Sequence, residues 1–152
     1  MQPQLKEIKP INFLFYRAET KVSELAQFFP IAKDLFKEAI RLDLHVTGPV
    51  HWHYFGFDGD ETKSFTLEVA IPVSQTVDEY DGKFHFKRTE NYKCVTMIHE
   101  GAWNEIPQSY GKIMQFVAEN GMQAAGTNRE LYINADFAFP EANVTQIQLG
   151  VH

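Results

Sequence analysis

The residues best suited to chemistry lie on two segments that alternate like β-strands. In the segment RELYIN, Glu130 and Tyr132 fall on one side of such a strand, and in HWHYF so do Trp52 and Tyr54. Burial penalises the charge of a carboxylate, and aromatic ring faces attract cations. A carboxylate placed among aromatic rings therefore predicts a site for a cationic partner.

General acid–base catalysis is the second chemistry that this pair permits. A desolvated Glu130 can take a proton from water while Tyr132 supplies one. Binding and hydrolysis would use the same two side chains, so the sequence leaves both open. Glu68 alternates onto the same expected surface in the segment FTLEVAIPV. It either contacts the ligand or pairs with a Lys or Arg from a neighbouring strand.

Metal and cofactor chemistry has weaker support. His51 and His53 point the same way from a strand, but two imidazoles do not complete a zinc site. Neither His85 nor His99 has a spacing that would supply a third ligand, and no histidine is marked as an axial haem ligand. The acidic run DGDE lacks the calcium-loop pattern and favours a turn. We therefore expect no metal and no cofactor.

Composition and charge restrict the class of protein. The chain has 152 residues, of which 44% are hydrophobic and 22% charged, and this length fits one domain over residues 1–152. The net charge of -6 argues against direct binding to nucleic acid, which needs a basic face. The single cysteine, Cys94, excludes an internal disulfide. There is no signal-peptide pattern and no apolar run of the ~18 residues that a membrane span needs, so we expect a cytoplasmic protein.

Hydrophobic periodicity predicts two βαββ repeats. Apolar stripes at helical spacing mark two helices, and runs of alternating residues mark the strands. The first repeat covers residues 11–73 and the second covers residues 92–151, with a polar linker at 74–91 that holds a short strand at 83–88. The other predicted strands are 11–19, 50–58, 65–73, 91–101, 129–136 and 143–151, and the predicted helices are 22–44 and 104–121.

The predicted fold is α+β: one antiparallel sheet with two helices on one face and a ligand groove on the other. Helices with one apolar stripe bury it against a sheet face. Superposition of the repeats places Trp52 opposite Glu130, and Tyr54 opposite Tyr132, across an approximate two-fold axis. The residues assigned to the face under the helices are Leu67, Val69, Leu131, Ile133, Ile147 and Leu149. Those assigned to the groove face are Trp52, Tyr54, Glu68, Glu130, Tyr132, Gln146 and Gln148.

Four motifs, in this order, resemble the GyrI-like small-molecule (effector) binding domain, which is also found in AraC-type and MerR-type multidrug-responsive regulators. They are MIHEGAW, SYGKIMQFVAENGMQAAG, RELYIN and VTQIQLGV, and the resemblance extends over residues 11–151. Gln146 stands where the family usually has Glu, and Gly150 where it usually has Pro. The missing carboxylate puts in doubt any cation selectivity that depends on it. No helix-turn-helix precedes the motifs, so a stand-alone version is expected.

The resemblance implies a ligand groove between the repeats, with Glu130 at its centre, Tyr132 beside it and Trp103 at the end of the first motif. Family ligands are often flat, apolar and cationic. We therefore expect a monomer or homodimer that binds such a molecule for sensing, sequestration or resistance. Hydrolysis of an electrophilic small molecule, with Glu130 as general base, is the alternative. A role like that of DNA gyrase inhibitors is the third.

Overall fold

The computed structural model describes residues 2–152 and contains one eight-stranded antiparallel sheet with two α-helices. The predicted α+β class is confirmed. Within residues 2–152, no helix combines the length and the apolar character that a membrane crossing needs. The strands are β1 (Gln4–Ile8), β2 (Asn12–Thr20), β3 (His51–Phe55), β4 (Phe65–Pro72), β5 (His85–Arg88), β6 (Tyr92–Glu100), β7 (Ala124–Asn134) and β8 (Val144–Val151). The helices are α1 (Ile31–Arg41) and α2 (Ile106–Glu119), and 3₁₀ turns cover Val22–Phe28, Trp103–Glu105 and Pro140–Ala142.

Each α-helix packs one apolar stripe on the sheet. Pro30 precedes α1, at a position where the missing N–H of proline costs no helical hydrogen bond. The predicted helix over 22–44 is split there into a 3₁₀ turn and α1, and Phe29 lies between the two. This break places Phe29 at the edge of the helix layer. The buried helical residues are Leu35 and Ala39 in α1 and Ile106, Ser109, Ile113 and Val117 in α2.

The two repeats meet at the centre of the sheet. The strand order is β1-β6-β8-β7-β3-β4-β2-β5, so β3 of the first repeat pairs with β7 of the second. Trp52 lies directly opposite Glu130 in this pair, and Tyr54 lies opposite Asn128. Superposition of the repeats also places Trp52 on Glu130, so the pseudo-two-fold axis passes between these two residues. Tyr54 and Tyr132 therefore lie on either side of the axis.

Two short connections show that the sheet is strongly curled. Residues 9–11 join β1 to β2, and residues 89–91 join β5 to β6, although each pair of strands is six positions apart. Six strand spacings span roughly 29 Å in a flat sheet, whereas such a connection reaches at most about 14 Å. The two edges of the sheet must therefore approach each other. The connections are joined by the Thr89 N–H, which donates to the Ile11 carbonyl at 2.9 Å. The face without helices becomes a concave interior, which we call the concave face.

The predicted assignment of Trp52, Tyr54, Glu130 and Tyr132 to the face opposite the helices is wrong. Directly opposed residues of antiparallel strands share a face. Trp52 pairs with Val69, which lies in the core under α1, and also with Glu130. Curling buries both faces, so apolar side chains do not mark which face carries the helices. The helix face holds Trp52, Tyr54, Leu67, Val69, Glu130, Tyr132, Ile147 and Leu149; the concave face holds His51, His53, Glu68, Arg129, Leu131, Gln146 and Gln148.

Candidate functional site

A buried carboxylate lies on the helix face at the seam between the repeats. Glu130 is only 7% exposed. The Tyr132 hydroxyl donates to its Oε1 at 2.7 Å, and the Tyr110 hydroxyl of α2 donates to its Oε2 at 2.7 Å. Asn128 Nδ2 donates in turn to the Tyr110 oxygen at 2.7 Å. Strand β7 and helix α2 together hold both carboxylate oxygens in fixed positions.

Phenol hydroxyls make the hydrogen bonds to this carboxylate. Burial is the largest effect and raises the pKa of Glu130. Hydrogen bonds from Tyr110 and Tyr132, the electrostatic attraction of His99 and a hydrogen bond from Tyr54 all act to lower that pKa. Burial and the neighbouring Glu130 raise the pKa of all three phenols, so they stay protonated and donate. Among residues 2–152, no Lys or Arg forms an ion pair with Glu130. The carboxylate is therefore compensated by hydrogen bonds and not by an ion pair with Lys or Arg.

Five aromatic side chains form a connected cluster that reaches Glu130 through Tyr132, and we call them the aromatic cap: Phe29, Trp52, Trp103, Tyr132 and Phe137. Trp52 and Trp103 lie with ring centroids 5.8 and 5.7 Å from Tyr132. Phe29 contacts Trp52 at 5.7 Å and Trp103 at 5.8 Å, and Phe137 contacts Trp103 at 5.3 Å. Phe29 is 42% exposed and Phe137 is 68% exposed, so these two rings form the outer surface of the cap.

The cap also contains a polar atom without a partner. Nε1 of Trp103 is buried and makes no hydrogen bond to any residue from 2 to 152. Trp103 follows a turn between β6 and α2 that is closed by His99. Its Nε2 donates to the Ala102 carbonyl at 3.0 Å, and the Ser109 hydroxyl donates to its Nδ1 at 2.8 Å. An unpaired indole N–H among aromatic rings can donate to a polar atom of a ligand.

The sequence of the whole chain matches one family. The model of the GyrI-like small-molecule binding domain covers residues 1–152. The chain belongs to the GyrI-like family. No curated protein sequence matches the chain. The resemblance predicted from the four motifs is thereby confirmed.

Solved structures share the GyrI-like fold. The crystal structure of the EcmrR C-terminal domain superposes with a TM-score of 0.82 at 22% identity, over 99% of this chain and 97% of that one. In an EcmrR–DNA complex (TM-score 0.81, 22% identity), 99% of this chain covers only 57% of the longer EcmrR chain. SAV2435 bound to tetraphenylphosphonium matches at a TM-score of 0.66 and 14% identity, over 100% of this chain and 94% of that one. A hydrolase encoded by lin2189 from Listeria innocua matches at a TM-score of 0.66 and 18% identity, over 99% of this chain and 92% of that one.

Of the six site residues that the sequence suggests, this GyrI-like domain brings five together. Glu68 is the exception: it lies on the concave face, where Arg17 Nε donates to it at 2.9 Å and Lys87 forms a second ion pair. The open alternative for Glu68, pairing with neighbouring cations, is the one that the structure shows. The five residues on the helix face are Trp52, Tyr54, Trp103, Glu130 and Tyr132.

Three further residues of the site do not appear in the prediction. Tyr110 lies on the apolar stripe of α2, where helical spacing indicates an inward side chain, but spacing cannot indicate its hydrogen bond to Glu130. Phe29 and Phe137 lie in connections, where no periodicity reports the direction of a side chain.

The histidine pair on β3 forms an internal hydrogen bond. His51 Nδ1 lies 3.1 Å from His53 Nε2, and Lys87 Nζ lies 3.1 Å from His53 Nδ1. Because the ammonium group can only donate, His53 accepts at Nδ1 and donates from Nε2 to His51. Within the described residues, no group of three or more His, Cys, Asp or Glu side chains is placed to hold a metal ion.

Proposed function

We propose that this protein binds apolar, aromatic cations on its helix face, between α1 and α2, with the charge of the ligand directed at Glu130. One observation carries the proposal: a buried carboxylate is hydrogen-bonded by phenols beside a cluster of aromatic rings, and no Lys or Arg among residues 2–152 is paired with it. A ligand cation would supply the missing positive charge in surroundings where water does not screen it.

The composition of the aromatic cap favours an aromatic ligand. Phe29 and Phe137 are exposed and lie outside regular strands and α-helices, so they can move apart without breaking a strand or a helix. An aromatic cation would then stack between Trp52 and Trp103, where each ring face contributes ~0.5–2 kcal/mol, more as it is desolvated. The free N–H of Trp103 offers a hydrogen bond to a polar substituent.

Two structural relatives agree with this proposal. SAV2435 has been captured with tetraphenylphosphonium, an aromatic cation. The EcmrR C-terminal domain has the same fold, within a protein that also forms a complex with DNA. We infer that this chain works as a ligand-binding module in sensing, sequestration or resistance. The net charge of -6 makes a DNA contact by the module itself unfavourable.

The test is a calorimetric titration with two ions of equal shape and opposite charge. Wild type is expected to bind tetraphenylphosphonium and to discriminate against tetraphenylborate. Glu130→Gln keeps the shape of the side chain and removes its charge, so the affinity for the phosphonium should fall roughly 10- to 100-fold. Glu119→Gln, an exposed carboxylate at the end of α2, is the matched control and should bind as wild type. Equal binding of both ions, or unchanged binding by Glu130→Gln, would contradict the proposal.

Hydrolysis is the second candidate, and the electrostatics of Glu130 favour it. A carboxylate with a raised pKa is a better base near neutral pH, and the neighbouring Tyr132 hydroxyl can protonate a leaving oxygen. Water would attack the electrophilic carbon of a bound epoxide or ester while Glu130 takes its proton.

The discriminating measurement is product formation from an aromatic epoxide or ester, followed by mass spectrometry. Turnover that falls about 100-fold or more in Glu130→Gln would establish the enzyme. Tight binding without any product at millimolar substrate would rule it out and leave the binding module.

A further inference from the structure

A cavity opens on the concave face, across the sheet from Glu130. Its volume is about 290 Å³. It lies where the connection 89–91 passes between the two edges of the curled sheet. Residues from β3, β5, β6 and β7 line it, among them His53, Phe55, Lys87, Tyr92, Thr127 and Arg129.

Arg129 is the central feature of this cavity. The side chain is only 8% exposed, and its guanidinium lies 3.9 Å from the centre of the Tyr92 ring. Within residues 2–152 it forms no ion pair with a carboxylate, and its buried Nη1 has no hydrogen-bond partner. Gln148 lies directly opposite on β8, but its Oε1 also has no partner, so the two side chains do not satisfy each other. A buried guanidinium without an acceptor is costly and favours an anion.

The neighbouring charges do not supply that anion. Glu68 is already shared between Arg17 and Lys87. Lys87 also lies 5.4 Å from the Phe55 ring centre, so the cavity wall is both cationic and aromatic. Glu90 lines the cavity too, but it is an exposed residue in the connection to β6. Three cations thus face one buried carboxylate on this side of the sheet.

The histidines beside the cavity add no positive charge. Burial, together with the charges of Arg129 and Lys87, lowers the pKa of His51 to about 3 and lowers that of His53 well below its usual range. Both rings are therefore neutral at physiological pH. The positive potential of the cavity comes from its Arg and Lys side chains alone.

We propose that this cavity is a second ligand site, which takes a small oxyanion. The carboxylate or phosphate group would accept hydrogen bonds from Nη1 of Arg129, and Lys87 would add a second positive charge. Phe55 and Tyr92 favour an aromatic carboxylate over a bare inorganic ion, because their rings can pack against an apolar body. The protein would then hold a cation on one face of the sheet and an anion on the other.

Calorimetry with benzoate, benzamide and inorganic phosphate tests this site. Benzoate should bind at millimolar concentration or tighter, and benzamide, which has the same shape without the charge, should bind at least about tenfold more weakly. Binding of phosphate as tight as that of benzoate would identify a general oxyanion site, whereas weaker binding of phosphate identifies an aromatic carboxylate site. If neither benzoate nor phosphate binds at roughly 10 mM, the proposal is wrong.

NMR of the four arginines locates the ligand in the wild-type protein. The side-chain Nε–Hε signal of Arg129 should shift on addition of benzoate, and that of Arg41, paired with Glu38 on α1, should not. Arg129→Gln should weaken benzoate binding about tenfold or more, with Arg41→Gln as the matched control. If Arg129→Gln does not fold, Arg129→Lys keeps the charge and should retain part of the affinity. Benzoate binding that leaves the Arg129 signal unmoved would refute the assignment.

Discussion

Two glutamates in this protein are almost equally buried, yet they lie in opposite environments. Glu68 is 4% exposed and forms ion pairs with Arg17 and Lys87 on the concave face. Glu130 is 7% exposed and receives hydrogen bonds only from phenols on the helix face. Burial alone therefore does not mark a ligand site. What distinguishes Glu130 is that no Lys or Arg among residues 2–152 forms an ion pair with it, and this difference supports the proposed ligand site.

The same contrast holds between neighbours in sequence. Arg129 and Glu130 are adjacent on β7, so their side chains point to opposite faces of the sheet. Each is buried beside aromatic rings, and neither has an ion-pair partner among residues 2–152. One strand thus presents a negative charge to the helix face and a positive charge to the concave face.

The largest effect is expected from removing the paired glutamate. Glu68→Gln leaves Arg17 and Lys87 without their shared counterion, and Arg129 loses its attraction to that charge, so the free energy of unfolding should fall by about 3 kcal/mol or more. Urea denaturation measures this change. Glu119→Gln is the exposed control and should change stability by less than ~0.5 kcal/mol. If Glu68→Gln lowers the free energy of unfolding no more than Glu119→Gln does, the proposed difference between the concave face and the helix face is wrong.

Acid should destabilise the protein through the concave face. The pKa of His51 is lowered to about 3, mainly by burial, and that of His53 is lowered well below its usual value, also mainly by burial. The unfolded chain binds protons below pH ~6.5 while the folded protein does not, so stability is present above that pH and is lost as the pH falls toward about 3. Each histidine contributes a slope of up to ~1.4 kcal/mol per pH unit.

Chemical denaturation at pH 7, 6 and 5 checks this slope. His51→Gln should reduce it by about one proton, whatever its effect on stability at pH 7. His152→Gln, at the exposed C-terminus, is the control and should leave the slope as in wild type. A wild-type stability that stays constant from pH 7 to 5 would mean that the buried histidines do not resist protonation.

The helix face should respond to pH with the opposite sign. The folded-state pKa of Glu130 is raised above its usual value, chiefly by burial, so ionisation costs stability as the pH rises from ~4.5 through that folded-state pKa. Glu130→Gln carries no such cost. The stability of the variant relative to wild type should therefore increase between pH 4 and 8. Thermal melts across this range measure the difference, and a difference independent of pH would show that the phenols fully compensate the charge.

The smallest effect is expected at the rim of the cap. Phe137 is 68% exposed, so Phe137→Ala should reduce stability by less than ~1 kcal/mol. Its ring covers Trp103, so the tryptophan emission should shift to longer wavelength and the affinity for tetraphenylphosphonium should change. Phe139→Ala, 63% exposed in the same loop, is the matched control. Identical spectra and affinities for the two variants would exclude Phe137 from the site.

The sequence predicted most of the elements correctly because their patterns are local. The stripe of α1 containing Leu35 and Ala39 packs as expected, and the predicted second helix appears as α2. Strand β1 was missed, because Gln4–Ile8 is mostly exposed at an edge of the sheet and shows no apolar alternation. The site residue Glu130 followed from alternation and from the family motifs together.

The face of the sheet that carries the site could not be read in the same way. Alternation places Glu130 and Leu131 on opposite faces of the sheet. It does not indicate which of these two residues lies on the face that carries the helices. That choice depends on the register between β3, β4 and β7, which pairs Trp52 with both Val69 and Glu130. The curl of the sheet then buries the other face, so Glu68 finds cations there instead of a ligand.

By itself, the sequence determined the βαββ repeats and the presence of a carboxylate beside aromatic residues, since these depend on spacing within single segments. The family followed from the resemblance of four motifs in order. The tertiary structure decided which charges are neutralised inside the chain. Arg17 and Lys87 are far from Glu68 in sequence and reach it only through strand pairing. Phe29 and Phe137 come from different repeats and meet over Trp103. The attraction between two charges weakens as the distance between them grows, and only folding sets that distance.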